Sequence, residues 1–200
     1  CESCPIGKTE KLYEGGKSID ASLPPICSSC FPGYWSDTIG YLPSYACKAC
    51  EPGRAFNNSV PLGTAATDCI ACDKGQYQSE KGKNFCFPCN AGSYQGKTGQ
   101  LNCTECSKNN YTDEPQQSTC KTCANEKIST SGSTFCTPCD AGKYAFGSGS
   151  TKVCEDCVAG KISTYGASSC TDCLAGYYAN AAIKATSCVS CRAGKYGTNI

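Results

Sequence analysis

Large side chains are spread thinly along this chain, one at a time. No window sustains an apolar residue every three or four positions, so the pattern predicts no significant helix. Instead a large residue stands five positions after a cysteine at Trp35, Tyr77, Tyr94, Tyr111, Ile128, Tyr144, Ile162, Tyr178 and Tyr196, with Thr9 and Ala55 as small exceptions. Two positions before that place stands Gly7, Gly33, Gly53, Gly75, Gly92, Gly142, Gly160, Gly176 or Gly194, with Asn109 and Glu126 filling it in two segments. Glycine, or the asparagine that best tolerates a left-handed backbone, implies a tight turn with positive φ. Each segment then returns through Gly, Ser and Thr, as in EKGKNFC, SGSTFC and YGASSC, with a second glycine a few residues before the next cysteine. Turn signals this frequent leave strands of about three to five residues. The predicted element is a short β-hairpin in a mostly irregular chain. The aromatics Trp35, Tyr77, Tyr94, Tyr111, Tyr144, Tyr178 and Tyr196 are expected to act as miniature core residues, packed over the nearest cross-link.

Every cysteine belongs to a CxxC pair, and the eleven pairs start at 1, 27, 47, 69, 86, 103, 120, 136, 154, 170 and 188. Residues 1–68 hold longer, irregular repeats, and residues 69–200 hold regular repeats of about 17 residues. A fixed period signals an array in which each repeat leans on its neighbours. The chain opens on Cys1 without a signal peptide and starts and stops in mid-pattern, so a segment of a longer array is expected.

Three chemistries use CxxC. Redox catalysis needs one low-pKa pair at a helix N-terminus, and eleven copies without a helix argue against it. A multi-site Cys4 zinc protein is a remote alternative by spacing. Against it, eleven pairs leave a remainder when taken by twos, and the even spacing shows no grouping. The third is a disulfide ladder, in which one cysteine of each pair points backward and the other forward. Its simplest register is Cys4–Cys27, Cys30–Cys47, Cys50–Cys69, Cys72–Cys86, Cys89–Cys103, Cys106–Cys120, Cys123–Cys136, Cys139–Cys154, Cys157–Cys170 and Cys173–Cys188, with Cys1 and Cys191 left for neighbouring repeats. Spacing alone does not fix connectivity. Closing a loop of about 15 residues is worth about 3 kcal/mol in the chain-entropy model. Ten such loops would hold together an elongated tandem-repeat rod, a solenoid-like disulfide ladder with almost no core.

Composition agrees: 22 of 200 residues are Cys, with 21 Gly and 10 Pro against 6 Phe and 1 Trp. Cross-links supply stability where a core is thin. Disulfides persist in an oxidising compartment, which places the chain outside the cell or on its surface through the secretory pathway. Three N-glycosylation sequons fit that placement: Asn57 in NNS, Asn102 in NCT and Asn110 in NYT. Asn102 abuts Cys103, and Asn110, on an expected exposed turn, is the first candidate. The net charge of +1, scattered without basic runs, implies no nucleic acid. No apolar stretch reaches the roughly 20 residues of a membrane span, and the residues do not say whether an anchor exists.

The phrases CNAGSY at 89, CDAGKY at 139, CLAGYY at 173 and CRAGKY at 191, each completing a CxxC, resemble the ephrin-receptor-like cysteine-rich repeat. That repeat belongs to the growth-factor-receptor cysteine-rich group, near the tumour-necrosis-factor-receptor module. The resemblance is clearest from residue 69 onward, and the segment CANEKIS at 123 departs from it. It implies that the cysteine before G-x-Y bonds the first cysteine of the following pair. Long CxxC arrays are also similar to surface antigens of ciliates and other protists. The motif implies a scaffold and carries no catalytic residues.

The reading that follows is a non-enzymatic extracellular structural protein in a cell-surface coat or fibre. Its expected partners are further copies or a continuation of the same array, with N-linked and O-linked glycans, and no cofactor. The alternative is a ligand-binding receptor ectodomain, whose binding face would use Trp35 or Tyr41 in the irregular stretch. An enzyme is disfavoured because the chain has no His, so no Ser–His or Cys–His pair can form.

Overall fold

In a computed structural model of the chain, residues 5–6, 8–10, 13–14, 17–18, 27–37, 47–61 and 63–195 are described. Among them helix is confined to single 3-10 turns at Ala66–Asp68 and Gly149–Thr151. The regular structure is a series of two-stranded antiparallel hairpins. Each pairs the residues just after a turn with the two residues inside the next CxxC. Gln76–Tyr77 pairs with Phe87–Pro88, Asn110–Tyr111 with Lys121–Thr122, and Lys161–Ile162 with Thr171–Asp172. Longer versions join Arg54–Phe56 to Cys69–Ala71 and Lys143–Phe146 to Val153–Asp156. Near the N-terminus Lys8–Glu10 pairs with Cys27–Ser29.

From the Tyr34–Trp35 hairpin onward a disulfide closes each hairpin loop. Among the described residues the bridges are Cys30–Cys47, Cys50–Cys69, Cys72–Cys86, Cys89–Cys103, Cys106–Cys120, Cys123–Cys136, Cys139–Cys154, Cys157–Cys170 and Cys173–Cys188. They follow one another in sequence and form a ladder. Cys191 has no partner among the described residues. Cys1 and the Cys4 end of the expected Cys4–Cys27 bridge lie outside them, as do Gly7, Tyr41 and Tyr196.

The chain forms two compact units that interleave along the sequence. One comprises Cys1–Cys89, Gln95–Thr104 and Gln116–Ser118, the other Asn90–Tyr94, Glu105–Pro115 and Thr119–Ile200. In the first, Cys50, Phe56 and Cys69 make a small apolar cluster against which Trp35 and Val60 pack. In the second, the buried positions other than glycine are Cys106, Cys123, Cys139, Cys157, Cys173 and Ala185, together with Asn109, Thr112, Ser129, Lys152 and Ser163. Sulfur and satisfied polar groups take the place of an aliphatic core.

Backbone hydrogen bonds tie successive repeats within each unit. The carbonyl of the turn residue accepts from the second cysteine of the next pair: Gly53 from Cys72, Gly75 from Cys89, Gly142 from Cys157. The amide of the same turn residue donates into the next hairpin: Gly53 to Gln78, Gly75 to Gln95, Gly92 to Thr112, Gly142 to Ser163. A second left-handed residue in the return donates back to the preceding repeat's cysteine carbonyl. Gly82 bonds Cys50, Gly99 bonds Cys72, Gln116 bonds Cys89, Gly132 bonds Cys106 and Lys184 bonds Cys157.

The turn glycines serve more than the turn. Gly53, Gly75, Gly92 and Gly142 all have positive φ, and a Cβ on any of them would collide with a carbonyl oxygen two repeats further on. Those oxygens belong to Gly99, Gln116, Gly132 and Lys184 respectively. Each turn therefore seats the return of its second neighbour.

Candidate functional site at the junction between repeats

The hairpin strands alternate faces, so residues five and six positions after the cysteine point opposite ways. The buried member is the sixth. Ser36, Phe56, Gln78, Gln95, Thr112, Ser129 and Ser163 occupy it, and Gln78 and Thr112 are fully buried. The fifth residues Trp35, Tyr77, Tyr94, Tyr111 and Tyr144 are half-buried, and Tyr178 is exposed. Apart from Phe56, which packs with Cys50 and Cys69, the buried place is filled by a small or amide side chain where backbones of successive repeats approach to hydrogen-bonding distance.

Two chemistries satisfy the buried column. Gln78 clips its own loop: Nε2 donates to the Phe85 carbonyl at 2.9 Å and Oε1 accepts the Glu80 amide at 3.0 Å. Gln95 repeats this with Asn102 at 2.7 Å and Lys97 at 3.1 Å. The hydroxyls reach the preceding repeat instead. Ser129 donates to the Asn110 carbonyl at 3.0 Å and Ser163 to the Lys143 carbonyl at 2.7 Å. The sequence offers a faint signal for this column, since the residue after the large fifth one is Ser, Thr or Gln in six repeats, four times after an aromatic and twice after Ile.

One junction is built differently. Asn109 has φ 64° and is fully buried at a glycine position. Its Nδ2 donates to the carbonyls of Gly149 and Lys152 at 2.8 and 2.9 Å, and its Oδ1 accepts the Ser129 amide at 3.3 Å. The return it faces carries the Gly149–Thr151 turn of 3-10 helix. Lys152 is buried, and its ammonium donates to the carbonyls of Cys123 at 3.2 Å and Ala124 at 2.8 Å. In other repeats a backbone amide makes the bond to that cysteine carbonyl. Here a side chain does so.

At Glu126 the turn residue is not left-handed. Its carbonyl accepts from Cys139 at 3.4 Å, where the equivalent bonds elsewhere span 2.8 to 3.0 Å.

The exposed faces of the hairpins carry cross-strand pairs. The Lys48 ammonium lies 4.7 Å from the Trp35 ring centroid, and Lys121 lies 5.9 Å from that of Tyr111. Tyr77 and Phe87 stack with centroids 5.8 Å apart. Tyr144 Oη donates to Glu155 at 3.3 Å, and desolvation followed by that carboxylate pushes its phenol pKa up. Lys48 beside Asp37, Lys121 beside Asp113 and Lys143 beside Asp156 hold all three carboxyl pKa values below their ordinary value. Asp156 also lies 3.6 Å from Lys184 of the next repeat.

An open groove of about 570 Å³ is lined by Trp35, Lys48, Glu51, Arg54, Thr67 and Cys69. Its charges are answered within the chain. Lys48 pairs with Asp37 at 2.8 Å, Glu51 with Lys81 at 3.1 Å, and Arg54 Nη1 donates to the Cys69 carbonyl at 2.8 Å. Trp35 packs on the apolar cluster on one side and meets Lys48 on the other. No group of His, Cys, Asp or Glu fit to hold a metal occurs among the described residues. A bridged sulfur offers no thiolate to zinc. Among the described residues no helix is long and apolar enough to cross a membrane.

Of the sequon asparagines, Asn102 is exposed, whereas Asn57 and Asn110 are half-buried. Asn110 lies in a strand rather than on a free turn. The turn residues Gly33, Gly53, Gly75, Gly92, Gly142, Gly160, Gly176 and Gly194 all have positive φ.

Comparison with known proteins gives one family match. Residues 62–100 match the family described as tyrosine-protein kinase ephrin type A/B receptor-like, a receptor-like cysteine-rich family rather than an enzyme family. The regular array of CxxC disulfides is consistent with a growth-factor-receptor cysteine-rich repeat. No curated protein matches the chain.

Proposed function

We propose that this chain is a non-enzymatic structural repeat protein of a cell-surface coat or extracellular fibre. The observation that carries the reading is the recurrence of the junction: one bridge per repeat and, outside the Asn109 and Glu126 junctions, the same pattern of backbone bonds between Gly53 and Cys173. Such a chain gains length by adding repeats, with no single site to preserve. The family match at residues 62–100 supports an extracellular repeat, because extensive disulfides persist only in an oxidising setting. The experiment is electron microscopy of the secreted protein together with surface labelling of cells that make it. Filaments or a continuous coat are expected, and isolated globular monomers confined to the medium would overturn the reading.

A second reading, a ligand-binding receptor ectodomain, draws on the same match and on the Trp35 groove. It expects Trp35→Ala to abolish binding of a protein ligand without changing the disulfide map. An unchanged interaction would leave the structural reading alone standing.

A further inference from the structure

The three sequons are alike in sequence and unlike in structure. N-glycosylation replaces one hydrogen on Asn Nδ2. That nitrogen bonds to the anomeric carbon of an activated oligosaccharide, the pyrophosphate carrier leaves, and the displaced hydrogen departs as a proton. The amide keeps its Oδ1 acceptor and one N–H. A folded site therefore tolerates the sugar only where Nδ2 can give up a hydrogen and the space beyond it is open.

In its hydrogen bonding Asn57 meets that condition. Its Oδ1 accepts the Ser59 amide at 3.1 Å, a bond that survives modification, and its Nδ2 has no hydrogen-bond partner among the described residues. Asn102 meets it as well, with an exposed side chain that makes no hydrogen bond there. Its main-chain carbonyl, which the sugar does not touch, accepts from Gln95 at 2.7 Å.

Asn110 does not. Its Nδ2 donates to Ser107 Oγ at 3.0 Å and to the Lys108 carbonyl at 3.3 Å, both in the turn behind it. Its Oδ1 accepts the Thr122 hydroxyl at 2.9 Å across the hairpin. Both hydrogens are in use, and a sugar ring would have to stand where Ser107 and Lys108 now are. A chain glycosylated there before folding would lose the Nδ2 bonds to Ser107 and Lys108 that hold the turn behind the strand, and so would be lost from the secreted, folded population.

We infer that Asn57 and Asn102 are the N-glycan attachment sites of the folded protein and that Asn110 is bare. The inference rests on the extracellular reading. Its test imposes secretion, so failure here would leave the compartment unaffected. The 200-residue chain is secreted from a host that adds N-glycans, digested, and treated with a glycan-releasing amidase in heavy-oxygen water. Each occupied asparagine then becomes labelled aspartate. The expected result is label at positions 57 and 102 and unlabelled Asn110, with Ser59→Ala and Thr104→Ala each removing one glycan. Label at Asn110 in a fraction matching either other site, or no label at Asn57 or at Asn102, would overturn the assignment.

Discussion

Asn109 Nδ2 donates to the main-chain carbonyl of Lys152 at 2.9 Å, across 43 residues of sequence. The two residues repair one junction between them, Asn109 filling the space of a glycine and Lys152 supplying the donor of a missing backbone amide. Asn109→Ala takes the side-chain donor from the Lys152 carbonyl, leaves the Gly149 carbonyl only the Lys152 amide at 3.3 Å, and keeps the left-handed strain, so a loss of about 2–4 kcal/mol is expected. Asn109→Gly removes the strain and costs about 1 kcal/mol less. Lys152→Met takes the ammonium donor from the Cys123 carbonyl, while Ala124 keeps the Lys127 amide at 3.1 Å, and costs about 1–3 kcal/mol. Denaturant unfolding with the bridges intact measures each. Equal stability of the Ala and Gly variants at position 109 would refute the account of its backbone.

Gly53 and Gly176 separate two demands on a turn. Their φ values are close, 80° and 86°, but a Cβ on Gly53 would strike the Gly99 carbonyl, whereas a Cβ on Gly176 would meet nothing within 4 Å among the described residues. Alanine at Gly176 should cost about 1–2 kcal/mol, the left-handed penalty alone. Alanine at Gly53 should cost several kcal/mol more, or scramble the bridges, because a backbone oxygen cannot step aside. Non-reducing peptide maps and unfolding midpoints of the two variants make the comparison.

Gln78 uses both ends of its amide within one loop. Gln78→Ala should cost about 1–3 kcal/mol by leaving the Phe85 carbonyl and Glu80 amide unanswered. Gln78→Glu should be worse at neutral pH, because a buried carboxylate would face the Phe85 carbonyl. Amide exchange at Glu80 reports the local loss, and protection unchanged in the Ala variant would remove the clip from the account.

The depressed carboxyl pKa values of Asp37, Asp113 and Asp156 fix a sign. A group whose folded pKa lies below its unfolded value, here about 3.8, stabilises the fold fully above that value. The contribution disappears as pH falls through the lower, folded values. Stability should therefore drop on acidification below pH 3.8, modestly and less in high salt, since these pairs are exposed. Unfolding midpoints at neutral and acidic pH, each at two ionic strengths, provide the check. Asp156→Asn should reduce the acid sensitivity, and a midpoint that rises on acidification would contradict the pairing.

The hairpin, its turn and the ladder of successive bridges were legible in the chain because each is closed within one repeat. A glycine three positions past a cysteine and a CxxC about 17 residues on leave few ways to complete a loop. The aromatics Tyr77, Tyr111 and Tyr144 drew attention for their size, yet they line the outer face opposite Phe87, Lys121 and Glu155. Burial fell to Gln78, Thr112 and Ser129, the polar residues beside them. Size predicts burial where side chains fill a core. Here the interior is the contact of backbone with backbone, and admission depends on hydrogen-bonding reach and small volume.

Taken alone, the amino-acid sequence determined the repeat and the left-handed turns and pointed to local loops as the simplest pairing, because covalent spacing and backbone sterics act over a few residues. Only the tertiary structure decided that Gly53 seats Gly99, that Gly142 seats Lys184, and that Asn109 and Lys152 mend a junction where the return changes shape. Those contacts join residues from 29 to 46 positions apart, through carbonyl groups that every residue carries. A group common to all residues leaves no mark in a sequence until the fold brings two of them together.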